Sequence, residues 1–414
     1  MKNPNLDTFP LGFWCTTDVS SATDNDVKDW KELGMSLVMG HGYDYKKDKK
    51  EDFIKMLDAA HTEGIKIILC DHRTESRNIY KHSEEKYISD LKDVINDFGS
   101  HPAVWGIHIG DEPWDEQEHK AFYRAMELVR ELAPGLEPYA NLLPHLPGVL
   151  EKVGKNSWTE YLDEFITKSK AKFISYDCYV QMIEDPIGVE VYYSTLKDHG
   201  DASKRHDIPF WTILLAVPHF HYRNPSLDEF RWQLNTAVAC GAKGISWFYI
   251  YQQEIWNSNY RNAPVNQIGR KTENYYRICD VQNIFNRTIG PVVNKLDWEK
   301  TYHIGKAYGG FELFEGDEEV AKDDSGAEMI MTYFTDSDGT RYILLVNNSM
   351  TKDVLYTLQI KGSFTKAEEL MHDNIWREMA GLLFDDGQVE KTDDVTKIPH
   401  WYAPGQAILY KITR

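Results

Sequence analysis

The chain has 414 residues, 42% of them hydrophobic, so it can bury a large core in two domains and is not a disordered polymer. Its 46 basic residues against 65 acidic ones leave a formal charge of −19. That balance excludes a nucleic-acid or anionic-membrane partner, because both need a basic face.

Between residues 9 and 297 strand-like and helix-like stretches alternate. The pattern predicts strands over 11–16, 36–40, 66–71, 104–113, 137–142, 172–179, 208–217 and 244–251. It predicts helices over 24–33, 51–63, 83–97, 116–132, 158–169, 189–196, 227–239 and 272–295. Ala133-Pro134-Gly135 is a helix stop, and Ser226 with Glu229 reads as a capping box. Eight strand–helix pairs fit an α/β protein of the (β/α)8 TIM-barrel type. A doubly wound sheet would bring a glycine-rich phosphate loop after a strand. The only similar run, Cys240 to Gly244, precedes a strand instead. After residue 298 short alternating runs take over, at 328–334, 341–347, 354–360 and 406–412, with Asp336-Ser337-Asp338-Gly339 as a hairpin signal. The expected organisation is a barrel over 1–297 and a C-terminal antiparallel β-sandwich over 298–414.

The fourth strand carries the chemistry. Alternation gives Trp105, Ile107 and Ile109 one face, and Gly106, His108, Gly110 and Glu112 the other. The second face is small or polar and suits a barrel lumen. Pro113 has no N–H, which ends the ladder and biases Glu112 toward an extended backbone. A carboxylate is thereby set at the C-terminal end of a barrel strand, where such enzymes keep their chemistry. Burial and the neighbouring Asp111 would both raise the Glu112 pKa, as a general acid requires. An isolated Asp-Glu pair, by contrast, reads as a solvated or helix-capping strand end.

His101-Pro102-Ala103-Val104-Trp105-Gly106 followed by Gly110-Asp111-Glu112-Pro113 resembles the fourth-strand signature of the clan of retaining (β/α)8 glycosidases. The layout of barrel plus sandwich is likewise similar to predicted glycosidases of polysaccharide-degrading bacteria. In that clan the strand ends in Asn-Glu-Pro and the Glu is the acid/base. The resemblance thus implies a glycoside hydrolase acting on an oligo- or polysaccharide, with Glu112 as acid/base. The Asn position is Asp111 here, and Asp can accept a hydrogen bond from a sugar hydroxyl but not donate one. The clan's nucleophile is a Glu ending strand seven. Here that strand runs from Trp211 through Val217, Pro218 and His219 to Arg223 without an acid.

Three accounts of the second group stay open. In the first, another strand end supplies the carboxylate. Asp177 is the choice, because Phe173, Ser175, Asp177 and Tyr179 share a face whose polar members suit the lumen. Asp71, followed by His72 and Arg73, is next. A separation of roughly 5 Å would imply retention and roughly 6.5–9.5 Å inversion. In the second, the substrate supplies its own nucleophile, since His108-Ile109-Gly110-Asp111-Glu112 is similar to the paired acids of β-N-acetylhexosaminidases. That likeness implies that Asp111 orients an acetamido group and Glu112 is the acid. In the third, the barrel binds sugar and does no chemistry.

Trp14, Tyr43, Asn141, Tyr176, Tyr179, His219, Trp247 and Tyr249 lie at or near predicted strand ends, and with Asp71 they are expected to bind substrate. Each ring alone reads as core; as a set at one mouth they favour stacking on a pyranose. Glu254 and Trp256 follow strand eight and are expected to close over the site. The first strand has no His-x-His pair, and no Gly-x-Ser-x-Gly elbow occurs, so neither metal-assisted nor serine hydrolysis is expected. The five cysteines, Cys15, Cys70, Cys178, Cys240 and Cys279, are too widely spaced for a disulfide framework or a zinc site. No metal or cofactor is therefore expected. No membrane span or signal peptide is legible, which suggests an intracellular protein or one whose leader has been removed.

Overall fold

Eight strands form two four-stranded parallel sheets in a computed structural model that describes residues 1–15, 17–252, 259–379, 389–392 and 394–414. The first part of the chain runs β1 (Leu11–Trp14), α1 (Asp26–Glu32), β2 (Leu37–Met39), α2 (Lys50–Thr62), β3 (Lys66–Leu69), α3 (Asn78–Lys81), α4 (Glu84–Val94) and β4 (Val104–Asp111). It continues with α5 (Glu116–Leu132), β5 (Glu137–Asn141), α6 (Val149–Lys152), α7 (Trp158–Ser169), β6 (Ile174–Asp177) and α8 (Pro186–His206). Then come β7 (Phe210–Leu215), α9 (Leu227–Ala239), β8 (Gly244–Phe248), α10 (Glu273–Arg287) and α11 (Ile289–Val293). The sheets are ordered β1-β8-β7-β6 and β2-β3-β4-β5, with every pairing parallel. The Ser36 N–H donates to the Leu11 carbonyl at 2.8 Å, and the Leu142 N–H donates to the Ser175 carbonyl at 2.8 Å.

Local chemistry accounts for the helices that set these strands. The Asp115 carboxylate accepts the Glu118 N–H and opens α5, which buries Phe122, Ala125, Met126 and Val129 at helical spacing. Ser226 and Glu229 form the expected capping box on α9. Two helices differ from expectation. α8 is 21 residues long, because Asp185 caps it three residues earlier than expected and Gly200 does not stop it. The helix predicted over 272–295 is instead two helices, α10 and α11.

The C-terminal strands are β9 (Asp297–Ile304), β10 (Glu312–Leu313), β11 (Met329–Thr335), β12 (Arg341–Asn347), β13 (Val354–Lys361), β14 (Lys366–Leu370), β15 (Trp376–Glu378), β16 (Glu390–Lys391), β17 (Val395–Tyr402) and β18 (Ala407–Thr413). They make a seven-stranded sheet, β10-β9-β11-β12-β18-β14-β15, and a three-stranded sheet, β13-β17-β16. All their pairings are antiparallel except β9 with β10. The two sheets share one apolar core that includes Met331, Leu345, Tyr356 and Ile398. The expected hairpin joins β11 to β12, with Gly339 at φ 80°.

The chain divides into two compact units, one of residues 2–224 and 243–279, the other of residue 1, 225–242 and 280–414. α9 therefore belongs with the antiparallel sheets. The Thr301 and Thr332 hydroxyls both donate to the Ala239 carbonyl at 2.6 Å, and Asn235 Nδ2 donates to the Gly405 carbonyl at 2.8 Å. Gly405 has φ 66°, and a Cβ there would lie 2.4 Å from the Trp232 backbone nitrogen. Gly405→Ala is expected to destabilise the protein by roughly 2–4 kcal/mol, adding steric overlap to a left-handed backbone. Gly339→Ala meets open space and carries only the backbone penalty. Urea midpoints of the two variants test this, and equal midpoints would contradict the packing argument.

Candidate active site

Four polar side chains meet where β4, β5 and β6 end. β4 runs into Asp111 and Glu112, β5 ends in Asn141 and β6 in Asp177. Asn141 sits opposite Asp111 in the parallel register. Its Nδ2 donates to Asp111 Oδ1 at 3.1 Å and to Asp177 Oδ1 at 2.7 Å, tying two acids to one amide. The Glu112 N–H donates to the Asn141 carbonyl at 3.0 Å. Glu112 and Tyr179 both lie near enough to the Asp177 carboxyl to influence its ionisation.

Burial pushes all three carboxyl pKa values upward. For Asp111 it combines with the Asp177 charge, against the Asn141 hydrogen bond, to give a value of about 7. Glu112 is raised by burial first, then by the charges of Asp177 and Asp111, and further by its bond to Asp177. That same bond lowers Asp177, whose own upward shift comes from burial. Both shifts favour a proton held within the Glu112–Asp177 pair. A strand-end carboxyl with a raised pKa is what a general acid requires.

The backbone that aims Glu112 is not extended. Glu112 has φ 41°, which corrects the expectation drawn from Pro113. Two register shifts precede it along β4. The β3–β4 register slips around Trp105, and the β4–β5 register slips between His108 and Gly110. Gly110, at φ 155°, absorbs the second slip, and a Cβ there would lie 2.6 Å from Phe122. A non-glycine residue in the left-handed region costs of order 1–2 kcal/mol, and such strain gathers at functional sites.

The slips also break the expected alternation along β4. The Trp105 ring lies 5.6 Å from Phe173 and 5.4 Å from Trp211, in a cluster that reaches Tyr139. His108 meets the same Tyr139 at 6.2 Å and Trp14 edge-on at 5.2 Å. Trp105 and His108 thus serve one ring cluster despite their opposite parity. On β6 the expected face holds: Phe173 stacks on Tyr139, Ser175 Oγ is 2.9 Å from the Tyr139 hydroxyl, and Asp177 meets Asn141.

A cleft of about 370 Å³ opens onto these acids. Of the residues expected from sequence, Trp14, Asp111, Glu112, Asn141, Asp177, Tyr179 and His219 line it. Tyr43, Asp71, Tyr176, Trp247 and Tyr249 do not. Tyr43 is buried against Phe53 and Phe98. Asp71 is gripped by Arg73 through Nε at 3.0 Å and Nη2 at 2.8 Å. Tyr176 stacks on His199 at 3.9 Å. Trp247 is fully buried, and Tyr249 stacks 5.7 Å behind Tyr260. Glu254 and Trp256 lie outside the described residues.

Sequence reading missed Trp114, Phe220, Tyr222, Phe248 and Tyr260, all of which line the cleft. Trp114 directly follows the Asp111-Glu112-Pro113 signature, and that adjacency was a usable signal. Phe248 is one residue out of register with the expected Trp247 and Tyr249, a parity error on a strand buried on both faces. Tyr260 has no local signal. A second cavity of about 320 Å³, beside Val281, Ile284 and Phe285, contains one acid, Asp280, and no carboxylate pair. Among the described residues no group of three or more His, Cys, Asp or Glu is placed to hold a metal, and no helix is long and apolar enough to cross a membrane.

No protein-family model and no curated protein matches the chain. Solved structures do resemble it. A β-galactosidase from Bacillus circulans sp. alkalophilus superposes with a TM-score of 0.66 at 8% identity, covering 100% of both chains. A family 39 glycoside hydrolase from Bacteroides cellulosilyticus WH2 gives 0.54 at 10% identity, over 100% of this chain and 83% of that one. A β-galactosidase from the psychrophilic Marinomonas ef1 gives 0.53 at 12% identity, over 71% of this chain and 63% of that one. The chain thus spans less than two thirds of the Marinomonas enzyme's length. At such identities the likeness is one of architecture, and the chain shares its mixed α/β fold with structures described as glycoside hydrolases.

Proposed function

We propose that this protein is a glycoside hydrolase that cleaves O-glycosidic bonds in an oligo- or polysaccharide. Its eight parallel strands form a (β/α)8 barrel within residues 1–297, and residues 298–414 form a β-sandwich. Glu112 is the general acid. One observation carries this reading: Glu112, whose pKa is raised by burial and by the Asp177 charge, stands with Asp177 in an aromatic-lined cleft at the strand ends. The Glu112 carboxyl can hand a proton to a departing sugar oxygen, while Trp14, Trp114 and Tyr222 offer ring faces to pyranoses. The descriptions of the structures that share the fold support the same reaction class.

Asp177 is the second carboxylate, and its charge defines its part. The Asp177 charge raises the Glu112 pKa. Asp177 therefore helps to keep the proton on Glu112. Asp111 holds Asn141 in place between the two strand ends. A panel of para-nitrophenyl glycosides and plant and microbial oligosaccharides tests the reading, and no turnover on any of them would overturn it. Cleavage confined to acetamido sugars would instead give the nucleophile to the substrate, with Asp111 orienting it. Asp177→Asn removes a charge that raises the Glu112 pKa, so the alkaline limb of kcat/KM is expected to move to lower pH. An unmoved limb would contradict this assignment of Asp177.

A further inference from the structure

The cleft holds a second titratable group whose pKa moves the opposite way. His219 follows β7, in a run from Ala216 to Arg223 that contains no acid. Its Nδ1 lies 2.8 Å from the Val217 carbonyl oxygen. A carbonyl can only accept, so Nδ1 carries the hydrogen and the neutral ring keeps its lone pair on Nε2. The ring is held flat against Tyr260, 4.7 Å between centroids and 2° between planes. Tyr179 and Tyr222 meet it edge-on at 5.9 and 4.9 Å. Among the described residues nothing is hydrogen-bonded to Nε2, and His219 lines the cleft that also exposes Glu112. Tyr179 lines the same cleft, with its ring edge-on to His219. The base and the acid therefore face one cleft.

We propose that His219 Nε2 is the general base of an inverting hydrolysis, taking the place that the missing strand-seven carboxylate would have. This rests on the glycosidase reading above. Nε2 removes a proton from water as the water oxygen bonds to the anomeric carbon. The glycosidic C–O bond breaks with its electron pair on the leaving oxygen, which takes the proton from Glu112. The step ends with imidazolium at His219 and carboxylate at Glu112, and solvent exchange restores both. Environment favours the starting forms. Burial, with the positive charges of His221 and Arg261, depresses the His219 pKa against the Val217 hydrogen bond, while Glu112 is raised. The aromatic groups facing His219 are Tyr179, Tyr222, Tyr260, Phe220 and Phe248, and none of these carries charge at neutral pH. Two groups pushed apart in this way are an acid–base pair ready at one pH.

The test uses the full chain and a para-nitrophenyl glycoside that the wild type cleaves. Proton NMR of the first-formed sugar should show the anomer opposite to the substrate. His219→Ala should lower kcat by roughly a hundredfold to ten-thousandfold with little change in KM, and should remove the acidic limb of the kcat/KM profile. Azide needs no base to attack, so it should restore turnover in His219→Ala and yield the glycosyl azide. His219→Gln keeps the size of the side chain and should be as slow as the alanine variant. A retained anomer, or a His219→Ala enzyme with wild-type kcat and an intact acidic limb, overturns the inference. If Glu112→Gln is dead on an oligosaccharide that the wild type cleaves while His219→Ala is active, the glycosidase reading stands and only the base is wrong. If the wild type turns over no glycoside, both fall.

Discussion

Glu112→Gln is expected to lose roughly a hundredfold to ten-thousandfold in kcat on any oligosaccharide the wild type cleaves, because a sugar alkoxide leaves only when protonated, with the fold intact. The amide has the shape of the protonated acid and still offers an N–H to Asp177, but it has no proton to give. The same substitution should make the protein more stable at neutral and alkaline pH. Glu112 ionises in the unfolded chain near pH ~4.3, whereas its folded pKa lies well above that. Between those values the folded state holds a proton that the unfolded state has released, so wild-type stability falls as pH rises through the window. Glutamine removes that dependence. The melting temperature of Glu112→Gln should therefore exceed that of wild type at about pH 8 and converge with it near about pH 4. Full activity in the variant would remove the basis of the enzyme reading. An identical stability difference at both pH values would show that Glu112 is not the proton holder. Activity here is bought with stability, as the left-handed backbone at Glu112 also suggests.

The parts of the site that were legible in the sequence are those where chemistry and strand end coincide. Glu112, Asp111, Asn141 and Asp177 each close a parallel strand, and a strand end is readable from where an apolar run stops. Trp14 was legible for the same reason, and Tyr179 and His219 lie just beyond the ends of β6 and β7. What was lost is orientation. One extra residue in a ladder reverses the facing of all that follows, and β4 has two such slips, which no propensity announces. On β8 the polar Ser246 shares a face with Phe248, a weak signal that Phe248, and not Trp247, meets the cleft. Tyr176 reads as a strand-end ring, yet it stacks on His199 of α8, a partner 23 positions away in a helix longer than its apolar pattern suggests. Tyr43 and Asp71 sit at strand ends as well, but nearby partners, Phe53, Phe98 and Arg73, claim them for the core.

Arg73 is where that competition has its largest expected consequence for stability. Its side chain and that of Asp71 are 7% and 1% exposed, joined by two side-chain hydrogen bonds, and Nη1 reaches Asp97 at 3.0 Å. The Arg73 N–H also donates to Asp71 at 2.9 Å, and the guanidinium lies over the Tyr43 and Tyr45 rings. Burial raises the Asp71 pKa even against the pull of Arg73. Arg73→Ala would leave that carboxylate buried with no cation, at a cost of about 3–5 kcal/mol. Asp71 can then escape only by taking up a proton, so the deficit should be larger at about pH 8 than at about pH 5. Arg73→Ala combined with Asp71→Asn should be less damaging than Arg73→Ala alone, because no buried charge is left uncompensated. Because Asp71 does not line the cleft, KM at a temperature where Arg73→Ala remains folded should stay near wild type. Urea unfolding at the two pH values measures the first claim, and steady-state kinetics measures the second. A variant that keeps its stability but loses affinity for sugar would return Asp71 to the binding site.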